Sequence, residues 1–255
     1  MRRRSVLLLA VAALAAALLG PSISGRAPAQ AQALIADLSN HLIAITTGFT
    51  GTEVLLFGAV EEDGDVVVIV RGPVGGVAVR RKDRIAGVWV NSGRLDFAEV
   101  PSYYAVAASR PLGEIGNPQL LARHGIGLDF LRLPPADDAA EAVQQPFRSA
   151  LMRIKQRENL YSADVARVTF LGKRLFRTTV AFPANVPVGS YLVEVLLVRE
   201  GEVVSAQTTP LIISKIGLGA DIYDFAHNQA ALHGVVAILV ALVAGWAAHL
   251  AFRRI

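Results

Sequence analysis

Cysteine is absent from the 255 residues, and only two methionines occur. The first absence excludes disulfides, thiolate nucleophiles, haem attachment through Cys and Cys-based zinc sites. It does not exclude an oxidising compartment. The second argues against a Met-rich copper site, because removal of an amino-terminal leader would leave Met152 alone. The five histidines, His41, His124, His227, His233 and His249, show none of the local pairings that zinc favours, such as two His four apart on one helix. No G-x-S-x-G, phosphate-cradling glycine loop or Rossmann fingerprint is present. Catalysis would therefore need a constellation assembled across the fold, and the sequence assigns no catalytic residue, metal ligand or cofactor.

Charge is missing from one long stretch. Leu232 to Phe252, LHGVVAILVALVAGWAAHLAF, holds no Asp, Glu, Lys or Arg and is followed at once by Arg253 and Arg254. At ~1.5 Å per helical residue it matches the ~30 Å hydrocarbon core of a bilayer, which predicts a transmembrane helix over 232–252. The arginine pair should keep the tail, 253–255, in the cytoplasm and put everything before Leu232 on the other side. At the other end, Arg2, Arg3 and Arg4 precede an apolar run from Val6 to Leu19 and a small-x-small site at Ala31-Gln32-Ala33. This pattern predicts a signal peptide over 1–33, with Ala29-Gln30-Ala31 as a second cut site. Without cleavage the chain would be a two-anchor hairpin, and the ectodomain would still lie outside.

The formal charge of +4 counts Arg2, Arg3, Arg4 and Arg26, all in the leader, so the processed chain is near neutral and Leu34 to Ala231 carries about −2. The pI of 9.7 therefore reflects targeting and gives no reason to infer nucleic-acid binding.

Between the membrane signals, 34–110 is a series of short β-branched and aromatic runs broken by turn residues: HLIAIT, TEVLLFGAV, DVVVIVRG, GVAVRR, GVWVNS, LDFAEV and YYAVAAS. Such spacing predicts an antiparallel sandwich, immunoglobulin-like and of about seven strands. Hairpin turns are expected at Asp63-Gly64 and Ser92-Gly93, and Trp89, Phe57 and Val68 are core candidates. Over 111–160 the pattern becomes helical. A helix with Leu112, Ile115, Leu120, Leu121 and Ile126 should break near Asn117-Pro118, and a second should start near Pro146 with Phe147, Ala150, Leu151 and Ile154 on one stripe. A smaller second sandwich is expected over 161–217, with a hairpin at Glu200-Gly201-Glu202 and a strand, SYLVEVLLVREG, apolar enough on both faces to be covered twice. The expected fold is thus mainly β: two immunoglobulin-like sandwiches joined by a helical segment, a juxtamembrane stretch over 218–231, and one carboxy-terminal transmembrane helix.

The segments ADLSNHLIAITTGFTGTEVLLFGAV, VPSYYAVAASRPL, FPANVPVGSYLVEVLLVREG, TPLIISKIGL and IYDFAHNQAALHGVVAILVALVAGWAA resemble the alphaproteobacterial putative transmembrane protein family, and the likeness covers nearly all of the processed chain. YDFAH with the following span is its most specific part. The resemblance implies an inner-membrane protein with a periplasmic ectodomain, and as partner an integral membrane permease of the sulfite-exporter type. It carries no catalytic residues.

Three features remain to be weighed. Ala237, Ala241 and Gly245 recur every four residues, with His249 next in the row, and small residues so spaced let a second helix approach in lipid. Ala and Gly are also common in any span. Arg80, Arg81, Lys82 and Arg84, around Asp83, are suited to anionic lipid head groups or to an oxyanion such as sulfite, or else to a charged edge that discourages aggregation. Tyr223, Phe225, His227 and His233 form an amphipathic collar beside the span, fitted to the membrane interface or to a partner. Glu61-Glu62-Asp63-Gly64-Asp65 lacks the alternating ligands of a calcium loop and reads as a solvated turn. The leading expectation is a non-catalytic accessory or binding module beside a membrane partner. The alternatives are an envelope scaffold, which a large exposed apolar patch would favour, and an enzyme. Ligand and oligomeric state are not encoded in any motif.

Overall fold

A computed structural model describes residues 33–136, 140–217 and 225–253. Apart from Ala33, the expected signal peptide over 1–33 lies outside them, as do Tyr223 of the collar and Arg254. The strands are β1 (Leu34–Leu38), β2 (Leu42–Ile45), β3 (Gly51–Val60), β4 (Asp65–Arg71), β5 (Val74–Ile85), β6 (Val88–Pro101) and β7 (Tyr104–Ala108), followed by β8 (Ala166–Arg167), β9 (Thr169–Leu171), β10 (Leu175–Pro183), β11 (Gly189–Arg199) and β12 (Glu202–Lys215). Helices α1 (Leu112–Ile115), α2 (Pro118–His124) and α3 (Glu141–Arg157) lie between β7 and β8, and α4 (Ala230–Phe252) follows β12.

Strand pairing crosses the boundary expected between two sandwiches. One sheet has the order β1-β3-β10-β9 and the other β2-β12-β11-β4-β7-β8, so each mixes strands from 34–110 with strands from 161–217. β10 runs antiparallel to β3 from Leu175 opposite Ala59 to Pro183 opposite Gly51, and β11 lies beside β4 from Leu192 opposite Arg71 to Val198 opposite Asp65. The two expected domains are therefore layers and strands of one sandwich. Short runs and turns reveal strands but not their partners, and a pattern of local hairpins looks the same when neighbours come from far along the chain. The first two strands also divide: β1 borders one sheet, while β2 joins the other parallel to β12. Gln207 on β12 bridges the gap, its amide accepting from Ala36 N (2.8 Å) and donating to Ala36 O (2.7 Å).

Two turns also differ from expectation. Asp63-Gly64 joins β3 to β4, which belong to different sheets, so it is a corner rather than a hairpin. A Cβ on Gly64 would come within 2.8 Å of Leu197 Cδ1, which explains why glycine stands there. Ser92-Gly93 lies inside β6, where Ser92 is the unpaired residue between the Lys82–Asn91 and Arg81–Gly93 pairs and makes a bulge. The reversal falls at Ala86-Gly87 instead, with φ of +50° and +87°. The Glu200-Gly201 turn is a tight hairpin with positive φ at both residues, as the β11–β12 pairing requires.

The core lies between the sheets. Val54, Leu56, Phe176, Val180 and Phe182 from one layer and Val66, Val68, Val70, Tyr191, Val193 and Val195 from the other are all buried. Tyr103, Phe182 and Tyr191 form a ring cluster with centroids 5.1 to 5.9 Å apart. Val68 is in the core as expected, but Trp89 and Phe57 are not: they are 66% and 46% exposed. Large aromatic rings are expected inward because burying them is favourable, and nothing local in the sequence marks an exception.

The outer face of the six-stranded sheet is covered as well. Ile69 and Leu196 on that face are fully buried, and Ile115, Leu120, Leu121, Ile126, Leu131 and Leu133 of the helical segment join the same cluster. Asn117 caps α2 by accepting from Leu120 N (2.8 Å), which explains the break before Pro118. Helix α3 starts at Glu141, earlier than expected, with Pro146 inside it. Polar groups fasten the cover. Arg71 Nη1 pairs with Glu194 Oε2 at 2.6 Å, and Arg71 Nη2 donates to the His124 carbonyl. The Tyr104 hydroxyl donates to Gly125 O (2.7 Å) and accepts from Gly127 N (2.8 Å). Burial pushes the Tyr104 phenol up to about 12. Glu194, the one acid on its strand, thus meets an arginine from the first half of the chain.

Candidate functional site

The outer face of the four-stranded sheet has no such cover among the described residues. Alternation along β1, β3, β9 and β10 turns one set of side chains inward and the other outward. Cross-strand register assembles the outward set into rows: Ile35, Ala59, Leu175 and Leu171 in one, Asp37, Phe57, Arg177 and Thr169 in the next, and Leu55 beside Thr179 in a third. Ile35, Leu55, Phe57, Leu171 and Leu175 are all exposed, and they shape a shallow depression of about 450 Å³. Charge is confined to its border. Asp37 lies there, 2.9 Å from His41 Nε2, and so does Arg177. Soluble surfaces rarely expose large apolar side chains in contiguous rows unless something docks on them.

This surface was missed at the level of sequence, although a signal exists. VLLF in β3 is apolar at four successive positions, a pattern of strands covered on both faces. β4 and β11 have the same pattern and are covered twice, while β3 is covered once by the described chain.

A second depression, about 470 Å³, opens between the layers and is lined by Val68, Tyr103, Tyr161, Ser162, Asp164 and Thr179 among others. Three of its hydroxyls are committed to the fold. Tyr103 donates to Ala181 O (2.8 Å), Tyr161 to Pro101 O (2.7 Å), and Ser162 Oγ to Asp164 O (2.6 Å). Burial raises both phenols well above the ordinary tyrosine value, so neither exchanges protons near neutrality. Ser162 Oγ faces a backbone carbonyl rather than a base that could activate it. Among the described residues no three His, Asp or Glu side chains converge as metal ligands.

The expected site residues fall in three separate places. Arg80, Arg81, Lys82 and Arg84 are on β5, in a two-stranded ribbon with β6 whose distal half is exposed. Ala237, Ala241, Gly245 and His249 lie on the continuous helix α4, four apart and hence on one face, and a Cβ added at Gly245 would meet open space. Of the collar, Phe225 and His233 meet edge to face at 5.7 Å, and His227 lies in the helical turn 225–228.

A β-sandwich followed by a 21-residue apolar stretch, Ala230–Leu250, none of it buried against the rest of the chain, defines a membrane-anchored protein, with one candidate span among the described residues. The chain belongs to the family described as "Putative transmembrane protein (Alph_Pro_TM)", whose model matches residues 33–254. No curated protein matches it. Among solved structures it is similar to Spo0M, the sporulation control protein of Bacillus subtilis, at 8% identity and a TM-score of 0.28, over 77% of this chain and 54% of that one. The chain thus spans about half the length of Spo0M, and a likeness at this level carries no argument about function.

Proposed function

We propose that the protein is a non-catalytic accessory or interaction module of the inner membrane. Its sandwich lies in the periplasm and its tail in the cytoplasm. Helix α4 packs against an integral membrane partner through Ala237, Ala241, Gly245 and His249, and the outer face of the four-stranded sheet docks a protein. Phe225, His227 and His233 seat the helix at the interface. The partner that the family resemblance suggests is a permease of the sulfite-exporter type. The observation that carries the reading is the exposed apolar surface of Ile35, Leu55, Phe57, Leu171 and Leu175, centred on β3, whose VLLF run is that of a strand covered on both faces. The small-residue row supports the helix contact, since close backbone approach is what binds helices in lipid.

The test is purification of tagged full-length protein from native membranes in mild detergent, alongside Phe57→Lys and Gly245→Leu. An integral membrane protein recovered with the wild type and depleted in both variants is the expected result. A periplasmic protein lost only with Phe57→Lys would point to an envelope scaffold instead. Equal recovery of all co-purifying proteins with all three chains would refute docking at either place.

A further inference from the structure

The β5–β6 ribbon combines two features, an exposed apolar tip and a cluster of basic side chains. Its base is packed, with Val79, Leu95, Phe97 and Val100 buried, but from Arg80 to Asn91 every residue is exposed or half-exposed. At the tip stand Ile85 (60% exposed), Val88 (64%) and Trp89 (66%), around the tight Ala86-Gly87 turn. Immediately behind them, residues 80–94 hold five basic side chains, Arg80, Arg81, Lys82, Arg84 and Arg94, against one acid, Asp83. That acid is already engaged, accepting from Ser92 and lying 3.4 Å from Arg81 Nε. Farther down β6, Asp96 pairs with Arg94 at 3.0 Å and Glu99 follows, so the ribbon as a whole carries +2, its exposed stretch 80–94 carries +4, and the remainder of the ectodomain is about −4. The positive charge is concentrated on the one element that also exposes an apolar, tryptophan-bearing tip.

We propose that the tip of this ribbon is a second membrane contact, in which Ile85, Val88 and Trp89 enter the interface of a bilayer and Arg80, Arg81, Lys82 and Arg84 engage anionic lipid phosphates. It rests on the reading of α4 as the membrane anchor. Indole prefers the headgroup region, and a basic cluster behind an apolar edge is the arrangement that anionic lipid attracts. Each Lys or Arg near such a surface strengthens binding roughly fivefold. Because α4 already holds the chain at the bilayer, the ribbon need supply only a weak additional contact. A two-point attachment would restrict the tumbling of the sandwich and aim its apolar sheet face.

The test uses the full chain carrying Trp246→Phe, which leaves Trp89 as the one tryptophan. It is reconstituted into vesicles of phosphatidylcholine, or of an equal mixture of phosphatidylcholine and phosphatidylglycerol, containing brominated acyl chains. Quenched, blue-shifted Trp89 emission is expected in the mixed vesicles, weaker in phosphatidylcholine and weaker again in high salt. Replacing Arg80, Arg81, Lys82 and Arg84 with Ser should weaken the contact several-hundred-fold and return Trp89 to a water-like emission, while flotation and circular dichroism stay unchanged. Unquenched Trp89 in protein that floats with mixed vesicles overturns the proposal and leaves the anchor intact. Quenching that survives the four replacements overturns the role given to charge. Trp89 shielded only in native membranes would show that a protein occupies the tip, which also overturns it. Failure of the wild type to float would sink both the anchor and the lipid contact.

Discussion

Replacing Phe182 with Ala tests the interleaving of the two halves of the chain. Phe182 sits on β10, is 2% exposed, and stacks on Tyr103 at 5.1 Å and against the edge of Tyr191 at 5.8 Å. Tyr103 comes from the first half of the chain, and both tyrosine rings are buried. Loss of the ring should cost about 3–5 kcal/mol, from lost burial and the cavity left behind. A domain with a stability of ~5–15 kcal/mol stays folded under that loss. Since β10 pairs with β3 and β11 with β4, no opening of 161–217 leaves 34–110 intact. Native-state hydrogen exchange of the full chain in detergent measures this. Amides of Val66–Val70 on β4 and of Val193–Val198 on β11 should both exchange faster by a similar factor, between about a hundredfold and several thousandfold. Faster exchange in β11 with β4 unchanged would mean two independent sandwiches and would refute the shared core.

Tyr104→Phe should destabilise the ectodomain by about 2 kcal/mol, because it strips a buried hydroxyl from Gly125 O and Gly127 N; a change under ~0.5 kcal/mol in denaturant unfolding would mean that these bonds do not hold the helical cover. Asp65→Asn is predicted to be destabilising at neutral pH and progressively less so in acid. Hydrogen bonds from Arg110, and then from Ser109, hold the Asp65 carboxyl below its ordinary value against the opposing effect of burial. Its folded value is lowered, so its stabilisation is fully present above the unfolded value of ~3.9 and is lost as pH falls through the folded one. A stability difference between wild type and variant that grows on acidification would be the wrong sign. Gly245→Leu should leave the ectodomain's hydrogen-exchange pattern unchanged while lowering recovery of a membrane partner, and an altered sandwich would show that the residue acts through folding.

The sequence alone was sufficient for features whose cause is local. A run without charge from Leu232 to Phe252 predicts a span whatever the rest of the chain does, and the observed helix, Ala230–Phe252, differs by two residues at one end. The break before Pro118 and the reversal at Glu200-Gly201 follow from the stereochemistry of proline and of left-handed turns. The mainly β character follows from the density of β-branched runs. Tertiary structure decided everything that depends on a partner distant in the chain. Asp63-Gly64 looks like a hairpin turn, but its flanking strands belong to different layers because each found better-matched neighbours more than a hundred residues away. Trp89 and Phe57 look like core residues for the same reason: hydrophobicity states that a side chain gains by leaving water, but not whether the chain supplies the surface that covers it. The outer face of one sheet found its cover in residues 112–133, and the outer face of the other has none among the described residues. Burial is a property of the assembled layers, and that is why the candidate interaction surfaces became visible only in three dimensions.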